Sequence, residues 1–342
     1  MYLTEQEFRG QFDALEQTVQ ALLDDRDRLA PALAEVKFLC VIGCGSSFSL
    51  AKSAATQFAQ HTGRPSVALA AGDLLVNFSS YQKMLQGAHL LILSRSGATS
   101  EVVRAARLCR DTLQNPIISI CAKAGAPIET LADVNILLPW AFDRSVCQTR
   151  TVTNLYAAGL ILAMLASGDE AGLRSLVRLK EHSTVFCPQA EPLMKEAAAW
   201  PWTKAVVLAD SAMAGLAEEG ALAFKEICRR DSNFYHLLDV RHGPMVQIGP
   251  DTLVIALVSS GDRELQAALL ADVAQKTDKL LTFDCGKGGV LPGTCIPLPD
   301  CGGDEVRAVF LLYCIQSLTF QHALVRGVDP DQPEGLDPWI KL

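Results

Sequence analysis

Two carboxylates and an imidazole stand where they could move protons. In the run EEGALAFKEI, residues 218–227, Glu219, Ala223 and Glu226 are spaced four and seven apart, so a helix would carry Glu219 and Glu226 on one face. His242 follows sixteen residues after Glu226, within RHGPMVQI. Interconversion of an aldose and a ketose needs a base that carries a proton between the first two sugar carbons and a group that opens the ring. A carboxylate and an imidazole supply these. The same residue types also suit a solvated helix and a satisfied loop histidine, and spacing alone does not choose between the two readings.

A second set of residues is suited to holding an anion. In GCGSS, Gly43 and Gly45 permit close backbone approach, and Ser46 and Ser47 offer hydroxyls. In SRSGAT, Ser94, Ser96 and Thr99 repeat the arrangement, with Arg95 as a charged donor. Each turn follows an apolar run and precedes a helical pattern, which places free N–H groups and the positive end of a helix at the carboxyl edge of a sheet. Either turn alone would pass as an ordinary helix cap. Two on neighbouring strands point to a phosphate or sugar-phosphate site. A third segment, residues 146–153, adds Gln148, Thr149 and Arg150 ahead of another helix. Neither GxxxxGK[ST] nor GxGxxG occurs, so the ligand should be small rather than a nucleotide, and no cofactor is expected.

The elements that must position these groups alternate. Apolar runs at Phe38–Ile42, His89–Leu93, Ile117–Cys121 and Asn135–Pro139 are separated by helical patterns at Leu50–Gln60 and Thr99–Leu113. A second series has strands at Ala205–Ala209, Leu253–Leu257 and Leu280–Phe283, with helices at Met213–Arg230, Arg263–Lys276 and Asp304–Arg326. The pattern predicts α/β architecture with two parallel sheets covered by helices. Aligning the segments around Ser96–Gly97 and Ser260–Gly261 suggests a weak internal duplication in which only the first copy keeps its hydroxyls. The expected organisation is an N-terminal helix over residues 1–30, a first subdomain over 31–187, a linker over 188–200, a second subdomain over 201–328 and a tail over 329–342. Thr4 and Glu7 read as a capping box that starts the first helix, which is expected to pack on the first subdomain.

Composition narrows the classes. The 342 residues are 49% hydrophobic and 20% charged, ordinary for a globular protein. A net charge of −8 argues against a nucleic-acid partner, which would require clustered Lys and Arg. Charges at Glu5, Arg9, Asp24 and Arg26 interrupt the N-terminus, so neither a signal peptide nor a membrane association is expected and the location should be cytoplasmic. Eleven cysteines, several inside apolar runs and with no CxxC pair, read as buried thiols rather than disulfides or metal ligands, and no metal is expected.

In order along the chain, CGSS, SRSGAT, SVCQTRTVTN, EEGALAFKEI and RHGPMVQI resemble the sugar isomerase (SIS) family. The likeness runs from about residue 37 to the C-terminus and is greatest to the isomerase domain of glucosamine-6-phosphate synthase and its relatives, the amino-sugar phosphate deaminases and fructosamine phosphate deglycases. It implies two flavodoxin-like SIS subdomains, with a sugar phosphate held by Ser47, Ser94, Ser96 and Thr99. It also implies Glu226 as the isomerising base, His242 as the ring-opening histidine lent across a dimer interface, and hence a homodimer or larger homo-oligomer. The family usually has Gln where Arg95 stands and Ser where Gln148 stands. The synthase has a lysine where Ala223 stands and another near the C-terminus; Pro338 occupies that second slot, with Lys341 three residues on. These departures, together with the lack of a counterpart to the synthase's glutaminase domain, set the expectation against glutamine-dependent amination. They favour a deglycase, deaminase or aldose–ketose isomerase acting on a 6-phosphorylated fructosamine, amino sugar or hexose. A sugar-phosphate-binding regulator without catalysis is the alternative.

Overall fold

A computed structural model describes residues 1–286 and 289–336, so Pro338 and Lys341 lie outside the described residues. The chain forms two compact units: Arg9–Arg144 with Gln148–Val177, and Met1–Phe8, Ser145–Cys147 and Arg178–Leu336.

The first unit is built on strands β1 (Leu39–Gly43), β2 (Ser66–Ala70), β3 (His89–Ser94), β4 (Ile117–Cys121) and β5 (Val134–Leu137). All pair in parallel, in the order β2-β1-β3-β4-β5. The second holds β6 (Lys204–Leu208), β7 (Asp231–Tyr235), β8 (Thr252–Val258), β9 (Leu280–Asp284) and β10 (Thr294–Pro297), also parallel, in the order β10-β9-β8-β6-β7. Counted from its own first strand, each sheet has the 2-1-3-4-5 order of flavodoxin-like folds. The duplication anticipated from the sequence is thus present in the topology: Ser96 and Ser260 both follow the third strand of their sheet.

Among the described residues, eight helices belong to the first unit: α2 (Gln11–Asp24), α3 (Arg26–Ala34), α4 (Ser46–Thr62), α5 (Ala71–Val76), α6 (Phe78–Leu85), α7 (Ser100–Leu113), α8 (Arg150–Ser167) and α9 (Glu170–Val177). Helix α8 is buried without a break from Thr151 to Leu165. It packs closely on α4 because Gly159 has no side chain; a Cβ there would sit 3.0 Å from that of Ala54. The second unit has α1 (Leu3–Arg9, counted to Phe8), α10 (Leu179–Ala198), α11 (Ala214–Glu226), α12 (Arg263–Ala274) and α13 (Asp304–Arg326). Helix α13 is long and apolar enough to cross a membrane by length and composition, yet 83% of its apolar window is buried, which fits a core helix.

Three expectations are corrected. Residues 188–200 are not a linker, since α10 continues to Ala198. The N-terminal segment is not one helix: it breaks into α1, α2 and α3, of which α2 and α3 pack on α8 of the first unit as expected. Phe8, by contrast, lies against Tyr313 and Phe320 of α13, with ring centroids 5.9 and 5.5 Å apart, so residues 1–8 join the second unit. Nor do Thr4 and Glu7 form a capping box. The carboxylate of Asp331 accepts the N–H groups of Leu3 and Thr4, both at 2.8 Å, and the Thr4 hydroxyl. Glu7 instead accepts the N–H and hydroxyl of Ser145.

Candidate functional site

The order of the first sheet reverses between β1 and β3, and at the carboxyl edge of an open α/β sheet that reversal leaves a crevice. Both Ser-rich turns lie there. Strand β1 ends at Gly43, Gly45 turns the chain with φ +52, and α4 begins at Ser46. A Cβ on Gly43 would lie 2.4 Å from the carbonyl oxygen of Ser47, so the first turn of α4 can sit on the strand end only because residue 43 is glycine. The N-cap residues of α4 and α7, Gly45 and Thr99, make no side-chain hydrogen bond to their own helices. The N–H groups of a helix start carry partial positive charge.

Ser46, Ser47, Ser94, Arg95 and Ser96 are all buried at this edge, and Thr99 is half-buried. Ser94 Oγ accepts the N–H of Gly97 at 3.0 Å, and Ser96 Oγ accepts that of Ala98 at 3.2 Å. The hydroxyl protons are not used in these bonds. Gly97 (φ +59) completes the turn. Burial, with the nearby Glu101 carboxylate, pushes the Cys44 thiol up to about 11, which disfavours its thiolate.

The third segment differs from the sequence reading. Asp143, 1% exposed, accepts the N–H groups of Thr149 and Thr151, each at 2.8 Å, while its own N–H donates to Thr151 Oγ1. The start of α8 thus already holds a carboxylate from the chain itself, and the Thr149 N–H is committed to it. Sequence reading missed Asp143; its place six residues before a Thr that opens a helix was the available signal. Gln148 is free of this arrangement, and its Oε1 is buried without a partner among the described residues.

In the second unit, Glu219 is 2% exposed and Glu226 half-buried at the last position of α11, with Ala223 buried between them, as the spacing predicts for one face. Gly220 on the same helix presses against Ile315 of α13. Burial lowers the ammonium of Lys225, which donates to the Ser232 carbonyl at 2.5 Å. His242 is exposed on the crossover between β7 and β8, where its N–H closes a turn to the Asp239 carbonyl at 2.8 Å.

The equivalent crevice of the second sheet is filled by carboxylates. Asp210 accepts the Leu237 N–H at 3.2 Å and lies 3.0 Å from His236 Nδ1. Asp304 accepts the Ser260 N–H and hydroxyl at 2.8 and 2.9 Å, and Asp262 caps α12 through the Leu265 N–H at 3.0 Å. An anion would be repelled there. Among the described residues no cluster of three or more His, Cys, Asp or Glu side chains is arranged to hold a metal ion.

Residues 32–165 match the SIS domain. Over 323 residues the chain is 24% identical to the isomerizing glutamine-fructose-6-phosphate aminotransferase of Haemophilus influenzae, a match covering 89% of this chain and 52% of that protein. The chain spans about half the length of the curated relatives it matches. Among solved structures, tagatose-6-phosphate ketose/aldose isomerase from Escherichia coli superposes with a TM-score of 0.86 at 23% identity, covering 99% of this chain and 97% of that one. Glucosamine-6-phosphate deaminase from Thermotoga maritima gives 0.81 at 21% identity, covering 99% and 100%. At these identities the two structures establish the fold.

Proposed function

We propose that the chain is a cytoplasmic enzyme of the SIS family acting on a 6-phosphorylated fructosamine, amino sugar or hexose, as a deglycase or deaminase or as an aldose–ketose isomerase. The observation that carries this reading is the asymmetry of the two crevices. The first has two helix ends whose N-cap residues make no side-chain cap, ringed by buried hydroxyls; the second is closed by Asp210, Asp262 and Asp304. The substrate phosphate would be held by Ser46, Ser47, Ser94, Ser96 and Thr99, with Arg95, Gln148 and Thr149 beside them.

In this reading Glu226 moves the proton between the first two sugar carbons, through an enediol for an isomerase or an enaminol for a deglycase or deaminase. His242 serves ring opening, lent to a neighbouring chain in a homodimer. Glu219, buried on the same helical face, supports Glu226. The relatives named above, an aminotransferase, an isomerase and a deaminase of phosphorylated sugars, support the substrate class.

A screen of phosphorylated fructosamines, hexosamines and hexoses should identify a substrate. With it, Glu226→Gln should lower kcat by roughly a hundredfold or more, because the amide keeps the shape of the carboxylate but cannot accept the proton. Ser96→Ala should raise KM more than it lowers kcat, since a phosphate contact acts equally in the ground and transition states. Near-normal turnover by Glu226→Gln would remove this helix from the chemistry.

A further inference from the structure

Helix α8, like α4 and α7, opens at the carboxyl edge of the first sheet. Thr151 Oγ1 donates to the carbonyl of Ala141 at 2.5 Å, and Ala141 stands four residues past the end of β5. The helix also lies directly against α4. At their contact, Gly159 is nine residues past Arg150, where α8 begins, and Ala54 is eight past Ser46, where α4 begins. At about 1.5 Å of rise per residue the two openings are level, and packed helices lie about 8–10 Å apart.

The opening of α8 has an occupant. Asp143, 1% exposed, places Oδ2 2.8 Å from the backbone nitrogens of both Thr149 and Thr151. These are the donors that an oxyanion takes at a helix start. The cation of the same turn is engaged too: Arg150 Nη2 donates to the Phe142 carbonyl at 2.6 Å, and its Nε lies 3.5 Å from Asp143 Oδ1. A carboxylate of the chain thus sits where a phosphate would sit, with the neighbouring guanidinium turned towards it. Capping alone does not call for a charge, since Ser or Asn caps a helix as well as Asp. A second anion brought alongside would meet that charge and be repelled.

In the function proposed above, one phosphate lies on the Ser-rich turns that open α4 and α7. We propose that Asp143 sets the capacity of the crevice at one such group and is the residue that makes it admit sugar monophosphates and refuse sugar bisphosphates. The inference rests on that reading and narrows it: the substrate is a phosphomonoester whose other carbons carry no second phosphate. A hexose bisphosphate reaching from the opening of α4 to that of α8 would find a buried carboxylate and donors already taken.

The test is calorimetric titration of the full chain with inorganic phosphate, fructose 6-phosphate and fructose 1,6-bisphosphate, each up to about 10 mM. Inorganic phosphate should bind at one per chain, and the bisphosphate should bind at least roughly tenfold more weakly than the monophosphate. Asp143→Ala releases the Thr149 and Thr151 N–H groups and Arg150. A second phosphate should then bind, and the gap between the two sugars should close by a similar factor. Phosphate should also raise the urea midpoint of Asp143→Ala more than that of the wild type, because it fills the vacated start of α8. Two phosphates per wild-type chain, or bisphosphate binding as tight as that of the monophosphate, would overturn the proposal, and neither measurement needs a variant to fold. So would a folded Asp143→Ala that still takes one phosphate and keeps the gap. Binding of neither inorganic phosphate nor fructose 6-phosphate by the wild type would instead remove the Ser-rich crevice as a phosphate site, and this inference with it.

Discussion

Gly97→Ala tests whether the SRSGAT turn has the geometry described. Gly97 has φ +59, and a Cβ would lie 2.6 Å from Ala126 Cβ and 2.8 Å from Ile128 Cγ2. Gly125, with φ +71 and nothing within 4 Å of its Cβ position, is the control. Both alanines incur the left-handed penalty of about 1–2 kcal/mol. Only the alanine at 97 must also displace buried neighbours, which costs about 1–3 kcal/mol more. The expected losses are about 1–2 kcal/mol for Gly125→Ala and about 2–5 kcal/mol for Gly97→Ala. Urea unfolding with an unchanged m-value measures both as shifts in midpoint. Because the Gly97 N–H is the group Ser94 Oγ accepts, phosphate binding should weaken in Gly97→Ala and persist in Gly125→Ala. If the two variants unfolded within about 0.5 kcal/mol of each other, the packing argument would be refuted.

Asp143→Ala should cost about 2–4 kcal/mol, because two buried N–H groups lose their acceptor, whereas Asp143→Asn keeps an oxygen and should cost less; a loss below about 1 kcal/mol in urea unfolding would show that the carboxylate does not cap α8. His322, buried against Trp202 with its Nδ1 2.8 Å from the Ala198 carbonyl, is held below its ordinary pKa by burial. A lowered folded value means stability that is full above the unfolded pKa of about 6.5 and declines as the pH falls below it. The urea midpoint should drop on that side, and less so in His322→Gln; His89, lowered for the same reason, contributes with the same sign. Among the eleven free cysteines only Cys295 is exposed, while burial pushes Cys40 and Cys228 up to about 12. Maleimide should therefore label Cys295 first in the native protein, as peptide mapping would reveal.

The strands legible in the sequence were those of the sheet interiors and one edge, β5. Strands β1, β4, β8 and β9 are buried at every residue and read as mainly apolar runs. Strands β2, β7 and β10 went unread, and all three are edges, mostly half-buried or exposed, with sequences such as DSNFY and TCIP that carry little apolar signal. An edge strand is defined by the neighbour it pairs with, and that neighbour is distant in sequence.

For the candidate site, Ser46, Ser47, Ser94, Ser96 and Thr99 could be read directly, because glycines and hydroxyls between a strand and a helix are a local pattern. The common face of Glu219 and Glu226 followed equally from helical spacing. Only the tertiary structure decided which helix ends stay open. Asp143 fills the start of α8 and Asp331 that of α1, while the N-cap residues of α4 and α7 make no side-chain bond to their own helices. Asp331 reaches Thr4 across 327 residues of chain. Periodicity and motif are properties of adjacent residues, whereas the partner of a buried N–H or carboxylate is whatever the fold brings to it; that choice separates the open crevice of the first sheet from the closed one of the second.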